Sequence, residues 1–247
     1  MTYPLVKPGY YRSLLKDVVA FLKRPHLEPR TDKSTRFKVY DTIGLYVLKI
    51  VALVPVALFF ALVHDPENVQ SASMAERFSP AVLLLLAGLV LPFFEEVGFR
   101  LSLVFRPTYL AVTASVLTYY VLTKAVYGTK ISMVDESFAV RVAVSGLLGV
   151  VLFPLLRRER VADRVSAFWA QHFRVIFYLS CVVFAWMHIT KYEVTLTTVL
   201  LLPILTLPQL FSAVIYGYTR VAFGFGYPLA LHVTMNSVVV SLSLLSA

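Results

Sequence analysis

Apolar residues fill most of this chain in long blocks, separated by short polar segments. The blocks cover residues 42–63, 80–104, 109–123, 138–156, 175–190, 194–218 and 228–247. Most approach or reach the roughly 20 residues that a bilayer-crossing helix needs. Their apolarity is continuous rather than alternating, which predicts helices and argues against a β-barrel. Pro203 and Pro208 interrupt the sixth block, leaving one kinked span or two short ones. The pattern predicts an all-α, polytopic integral membrane helical bundle of about seven or eight transmembrane helices. Residues 64–79 read as a short polar loop.

The first forty residues differ from the rest. Lys7, Arg12, Lys16, Lys23, Arg24, Arg30, Lys33, Arg36 and Lys38 face only Asp17, Glu28 and Asp32. The chain therefore divides into a basic N-terminal segment, 1–40, and a polytopic membrane domain, 41–247. Within the segment, residues 10–22 place Leu14, Leu15, Val18, Val19 and Leu22 on one helical face, the pattern of an amphipathic helix at a membrane surface. No apolar stretch with a small-residue cleavage site follows the first charges, so a cleavable signal peptide is not expected.

Composition sharpens this reading. Of 247 residues 58% are hydrophobic and 15% charged, against about 25% charged in soluble domains, and the mean hydropathy is +0.75. That leaves too little polar surface for an ordinary cytosolic enzyme. A net charge of +9 would suit nucleic acid, but the cations sit in short blocks between apolar runs, so the bilayer is the expected partner and nucleic acid is not. The basic blocks at 1–40 and 157–174 read as cytoplasmic, the latter as a loop, which puts the N-terminus on the cytoplasmic side of a multi-pass membrane protein, in the cell membrane if the source is prokaryotic. A single cysteine, Cys181, excludes an internal disulfide framework and cysteine-rich metal sites.

Ionisable residues within the apolar runs are the candidates for chemistry, because burying them in hydrocarbon is costly. Residues 81–94 form an apolar run of only fourteen, about 21 Å of helix against a hydrocarbon core of about 30 Å. The helix must continue through Glu95, Glu96 and Arg100. Similarly, 175–189 includes His188, and 228–247 reaches twenty residues only with His232 and Asn236 inside. Glu96 and Arg100 stand at i and i+4 and can pair, whereas Glu95 lies about 100° away around the helix. His188 follows Phe184 by one turn, and Asn236 follows His232 by one turn. A carboxylate, two imidazoles and an amide are the parts needed to activate water and stabilise an oxyanion. Lys49, inside the first span, is explained more simply by snorkelling or by facing the bundle interior than by catalysis.

Glu95-Glu96 with Arg100, Phe184 with His188, and His232 with Asn236 resemble, in order, the EExxxR, FxxxH and HxxxN motifs of the CPBP family. That family comprises intramembrane glutamic endopeptidases, among them type II CAAX prenyl proteases and the Abi, or bacteriocin-immunity-like, proteins. The resemblance covers about residues 80–241. It implies an intramembrane CPBP-family glutamic endopeptidase, a peptide hydrolase acting on a membrane-embedded or lipidated peptide such as a prenylated CAAX type. It further implies that Glu95 and His188 activate water, that His232 and Asn236 hold the oxyanion, and that Glu96, Arg100 and Phe184 support them from behind. No cofactor and no metal are implied.

Two rival readings use the same residues. Glu95, His188 and His232 are a legitimate zinc ligand set, although no HExxH is present. A non-enzymatic protein, either a proton-coupled carrier or an Abi-like interaction protein, would use them as a relay or not at all.

Overall fold

The computed structural model describes residues 4–63 and 67–245. Among these residues the chain is helical, without strands. The helices are α1 (Pro8–Lys23), α2 (Thr35–Leu62), α3 (Val69–Arg77), α4 (Pro80–Leu103), α5 (Pro107–Val126), α6 (Phe138–Leu156) and α7 (Glu159–Lys191). They continue with α8 (Leu196–Leu200), α9 (Leu202–Leu205), α10 (Leu207–Phe223) and α11 (Gly226–Leu245). Among the described residues six helices, α2, α4, α5, α6, α7 and α11, are long and apolar enough to cross a membrane. Val51 and Leu58 on α2, Leu147 and Val150 on α6, Leu179 on α7 and Leu242 on α11 each expose more than half of their surface. Hydrocarbon, rather than water, solvates such side chains, and the chain is a multi-pass integral membrane protein.

Local sequence explains several boundaries. Proline opens α1, α4, α5 and α10 within their first two positions, where its missing N–H and fixed φ are harmless. Gly224 ends α10 at φ 110° and Gly128 turns the chain after α5 at φ 59°, conformations that side chains disfavour.

Three expectations are corrected. The basic stretch 157–174 is not a loop, because α7 begins at Glu159 and runs through it; its charged residues are compatible with helix and lack a Pro or Gly breaker. The polar segment 64–79 contains α3, whose first turn is capped by the Asn68 side chain accepting from Ser71 N at 3.0 Å; residues 64–66 lie outside the described set. The sixth apolar block, 194–218, divides at its prolines into α8, α9 and most of the 17-residue α10. That division leaves six helices among the described residues that meet the spanning length.

The structure forms two compact units, whose boundaries fall within α4 and α7. The first comprises the chain up to Phe93 and again from Arg174. In it the face of α1 bearing Leu14, Val18 and Phe21 is buried, while Leu15 and Val19 are exposed. Leu14 meets α2 at Gly44, where a Cβ would come within 2.8 Å of its Cδ2. Tyr10 OH and Lys33 Nζ both donate to the buried Asp41 carboxylate. Phe21 packs edge-on against Phe177 and Tyr218, at 5.1 and 5.3 Å between centroids. Tyr178 OH donates to Leu22 O, and Arg30 N donates to Ala222 O at 3.0 Å. The N-terminal segment is thus seated on α2, α7 and α10.

The second unit, Phe94–Phe173, is built on α5 and α6. Ser115 faces Gly149, where a Cβ would lie 2.2 Å from the serine Oγ, and Thr123 faces Arg141. The pairing runs in opposite sense along the two helices, so they are antiparallel. The Arg141 guanidinium is fully buried, and Nε donates to Ser137 Oγ, Nη1 to Tyr119 OH and Thr123 Oγ1, and Nη2 to Met133 O and Asp135 Oδ1. It ties the 127–137 loop to both helices.

Candidate functional site

Two groups of site residues are described, one in each unit. In the second unit, α4 remains helical through Glu95 and Glu96, as a span of this length requires. Glu96 and Arg100 are buried together, with Glu96 Oε1 3.6 Å from Arg100 Nη1. Charges withdrawn from solvent persist only when compensated, and this spacing compensates both. Glu95 is half-buried, whereas Glu96 is fully buried. Thr113 Oγ1 on α5 donates to Val97 O at 2.8 Å, and a Cβ at Gly98 would meet Val116 Cγ1 at 3.3 Å. These contacts seat the carboxylate-bearing turn against α5.

In the first unit α7 tightens into a 3₁₀ turn at Met187–Lys191. His188 Nδ1 lies 2.6 Å from Phe184 O. Facing a carbonyl, Nδ1 carries the proton, so in the neutral ring the lone pair belongs to Nε2. The Phe184 ring meets His188 at 4.7 Å and His232 at 6.1 Å between centroids. Phe184 is buried and His232 is 5% exposed. His188, Phe184 and His232 therefore form one row joining α7 to α11.

Asn236, one turn beyond His232, reaches the first half of α4. Its Nδ2 donates to Ala87 O at 3.2 Å, and Ser237 Oγ donates to Gly88 O at 3.4 Å. Residues Leu86–Val90 of α4 form a π turn, in which the one-residue shift of the hydrogen-bond ladder leaves carbonyls for side chains to satisfy. Gly88 permits the approach, since a Cβ there would lie 2.9 Å from Ser237 Oγ. One amide proton of Asn236 is thereby committed to α4, and the other N–H and Oδ1 complete its inventory.

Sequence reasoning did not find Tyr216 or the π turn. Lys49 is 3% exposed, and its Nζ donates to Tyr216 OH at 2.7 Å; of the two simple readings of Lys49, the structure has it facing the interior. A lysine within an apolar run needs an oxygen nearby, and that need was the available signal for a tyrosine such as Tyr216. The π turn has no compositional mark beyond Gly88.

Outside the spans, the Asp135 carboxylate pKa is lowered. Hydroxyls of Ser137 and Thr129, together with the Arg141 guanidinium, hold Asp135 down to about 2. Among the described residues, no three His, Cys, Asp or Glu side chains are grouped to hold a metal ion. In comparison with known proteins, the chain matches no family model, no curated sequence and no solved structure.

Proposed function

We propose that this chain is an intramembrane glutamic endopeptidase that hydrolyses a membrane-embedded or lipidated peptide, with prenylated CAAX-type peptides as the first class to test. The observation that carries the reading is the division of labour between adjacent carboxylates. Glu96 is buried beside Arg100, which supports a charge-balancing role for Glu96 and the chemical role for Glu95. The resemblance to CPBP proteins supports the same division.

In this mechanism Glu95 and His188 take a proton from water, and the hydroxide attacks the scissile carbonyl. The His188 proton on Nδ1 leaves Nε2 as the basic nitrogen for that step. His232 and the second N–H of Asn236 stabilise the oxyanion, an interaction that strengthens as charge develops. The leaving amine then takes the proton back. Glu96, Arg100 and Phe184 hold these groups in place. No metal or cofactor has a role. The N-terminal basic segment marks the cytoplasmic side, a topology that cysteine labelling at positions 33 and 160 in a Cys181→Ser background checks.

The decisive experiment is cleavage of a synthetic lipidated peptide by purified protein in detergent or nanodiscs. Wild type should cut it, and Glu95→Gln should lose on the order of 10²–10⁴ in turnover with the fold retained. Near-normal turnover in Glu95→Gln would exclude this mechanism. Activity lost to a strong chelator and restored by stoichiometric Zn²⁺ would move the assignment to a zinc peptidase.

A further inference from the structure

Neither Lys49 nor Tyr216 belongs to any of the three motifs, yet both are buried, and Tyr216 lies against the motif residue His232. Tyr216, on α10, is 1% exposed. Its ring packs tilted against the His232 imidazole at 4.9 Å between centroids, with 33° between planes. The Phe184 ring meets the same imidazole in a T-shaped arrangement, at 79° between planes. His232 is thus contacted by two aromatic rings at different angles. Such contacts restrict rotation about its Cβ–Cγ bond, and that rotation decides where the two ring nitrogens point.

The platform is itself fixed. Lys49 Nζ donates to the Tyr216 hydroxyl and lies 4.8 Å from the centre of its ring. Next along α10, Gly217 takes the Phe177 ring so closely that a Cβ would lie 2.6 Å from Cε2. Helix α10 therefore has no room to slide at this level. A methionine or leucine would fill the Lys49 site without the cost of burying an ammonium, so a lysine here is better explained by what it holds than by what it packs.

We infer that Lys49 and Tyr216 act as a unit to set the plane of the His232 imidazole, making both positioning residues for the reaction at that histidine. The first transmembrane helix, which carries no motif, thereby becomes part of the site. The catalytic half of this inference rests on the peptidase reading. The geometric half, that the pair governs the His232 ring, does not.

The test uses the full chain in nanodiscs with isotope-labelled histidine, comparing wild type with Lys49→Met, Tyr216→Phe and the double variant. The double variant removes both polar partners together and guards against misfolding of Tyr216→Phe, which leaves the ammonium without that oxygen. The His232 ring signals should shift and broaden in all three, while those of the half-buried His172 stay fixed. Turnover of a lipidated peptide should fall by up to about 10²-fold with KM little changed, and the double variant should lose no more than the worse single variant. Lys49→Arg, which keeps a donor, should recover part of the loss. Unchanged His232 signals in folded variants would overturn the inference, as would single losses that simply multiply in the double variant. If wild type cleaves no peptide, the peptidase reading fails and the ring signals alone decide the positioning.

Discussion

Arg141 and His232 are both buried polar residues on membrane-spanning helices, and they are housed in opposite ways. Around Arg141, Nε, Nη1 and Nη2 each donate to oxygen, from Ser137, Tyr119, Thr123, Met133 and Asp135. Around His232, the contacts from Tyr216 and Phe184 are made by rings. A guanidinium saturated with acceptors is finished chemistry and serves as a structural rivet. Two aromatic rings pack on the imidazole. The comparison sets a cation that holds the fold beside a histidine that, on the peptidase reading, acts on a substrate.

Four measurements would break or sharpen that contrast. The largest effect is expected on the side of the rings. His188→Gln should lower kcat by on the order of 10²–10⁴ while leaving the thermal midpoint nearly in place. A lowered midpoint with normal turnover would move His188 to the structural side. Arg141→Met should do the reverse, with a stability loss of about 3 kcal/mol or more and unchanged kcat per folded molecule. Denaturation in mixed micelles would read it, and a variant as stable as wild type would show that the rivet is dispensable.

Asn236 straddles the two classes, since one proton already serves Ala87 O. Asn236→Ala should cost about 10²–10³ in kcat with less change in KM. Ser237→Ala, which removes the neighbouring bond to Gly88 O, should cost only about 1 kcal/mol of stability. If both variants lost stability alone, Asn236 would be a clamp on the π turn and nothing more.

The smallest effect concerns Asp135, held down to about 2 against an ordinary 3.8. A depressed carboxylate pKa contributes stability that is present above about pH 4 and lost as pH falls toward 2. Asp135→Asn should flatten that limb of the stability profile. A wild-type profile with no acid limb in this window would contradict the assignment.

Much of the fold was legible because bilayer length and apolar continuity are strong constraints. The block 138–156 coincides with α6, and 80–104 ends one residue beyond α4. What escaped was helix without an apolar signature. The charged half of α7 and the short α3 read as loops because polar residues at helical spacing look like solvent-facing connections until a neighbour gives them a reason to coil. Glu95, His188, His232 and Asn236 stood out by being costly where they are. Tyr216 did not, because a tyrosine in an apolar run is ordinary. Arg141 was passed over because a lone cation near the start of a span looks like an interfacial anchor. The oxygens that surround it come from a loop and from α5, and only folding gathers them.

The bonds that tie the first unit together have a consequence for how the protein is made. Leu22 waits for Tyr178, 156 residues later, Lys49 for Tyr216, 167 later, and Ala87 for Asn236, 149 later. Closing loops of that size carries a large entropy cost and cannot begin until the distal helix exists. During synthesis, therefore, the early helices must lie in the bilayer with Lys49 and the π turn not yet met by these partners. The arrangement around His232 can form only after α11 enters, so a chain stalled before α11 would reach the membrane with the Ala87 carbonyl of the π turn still lacking Asn236.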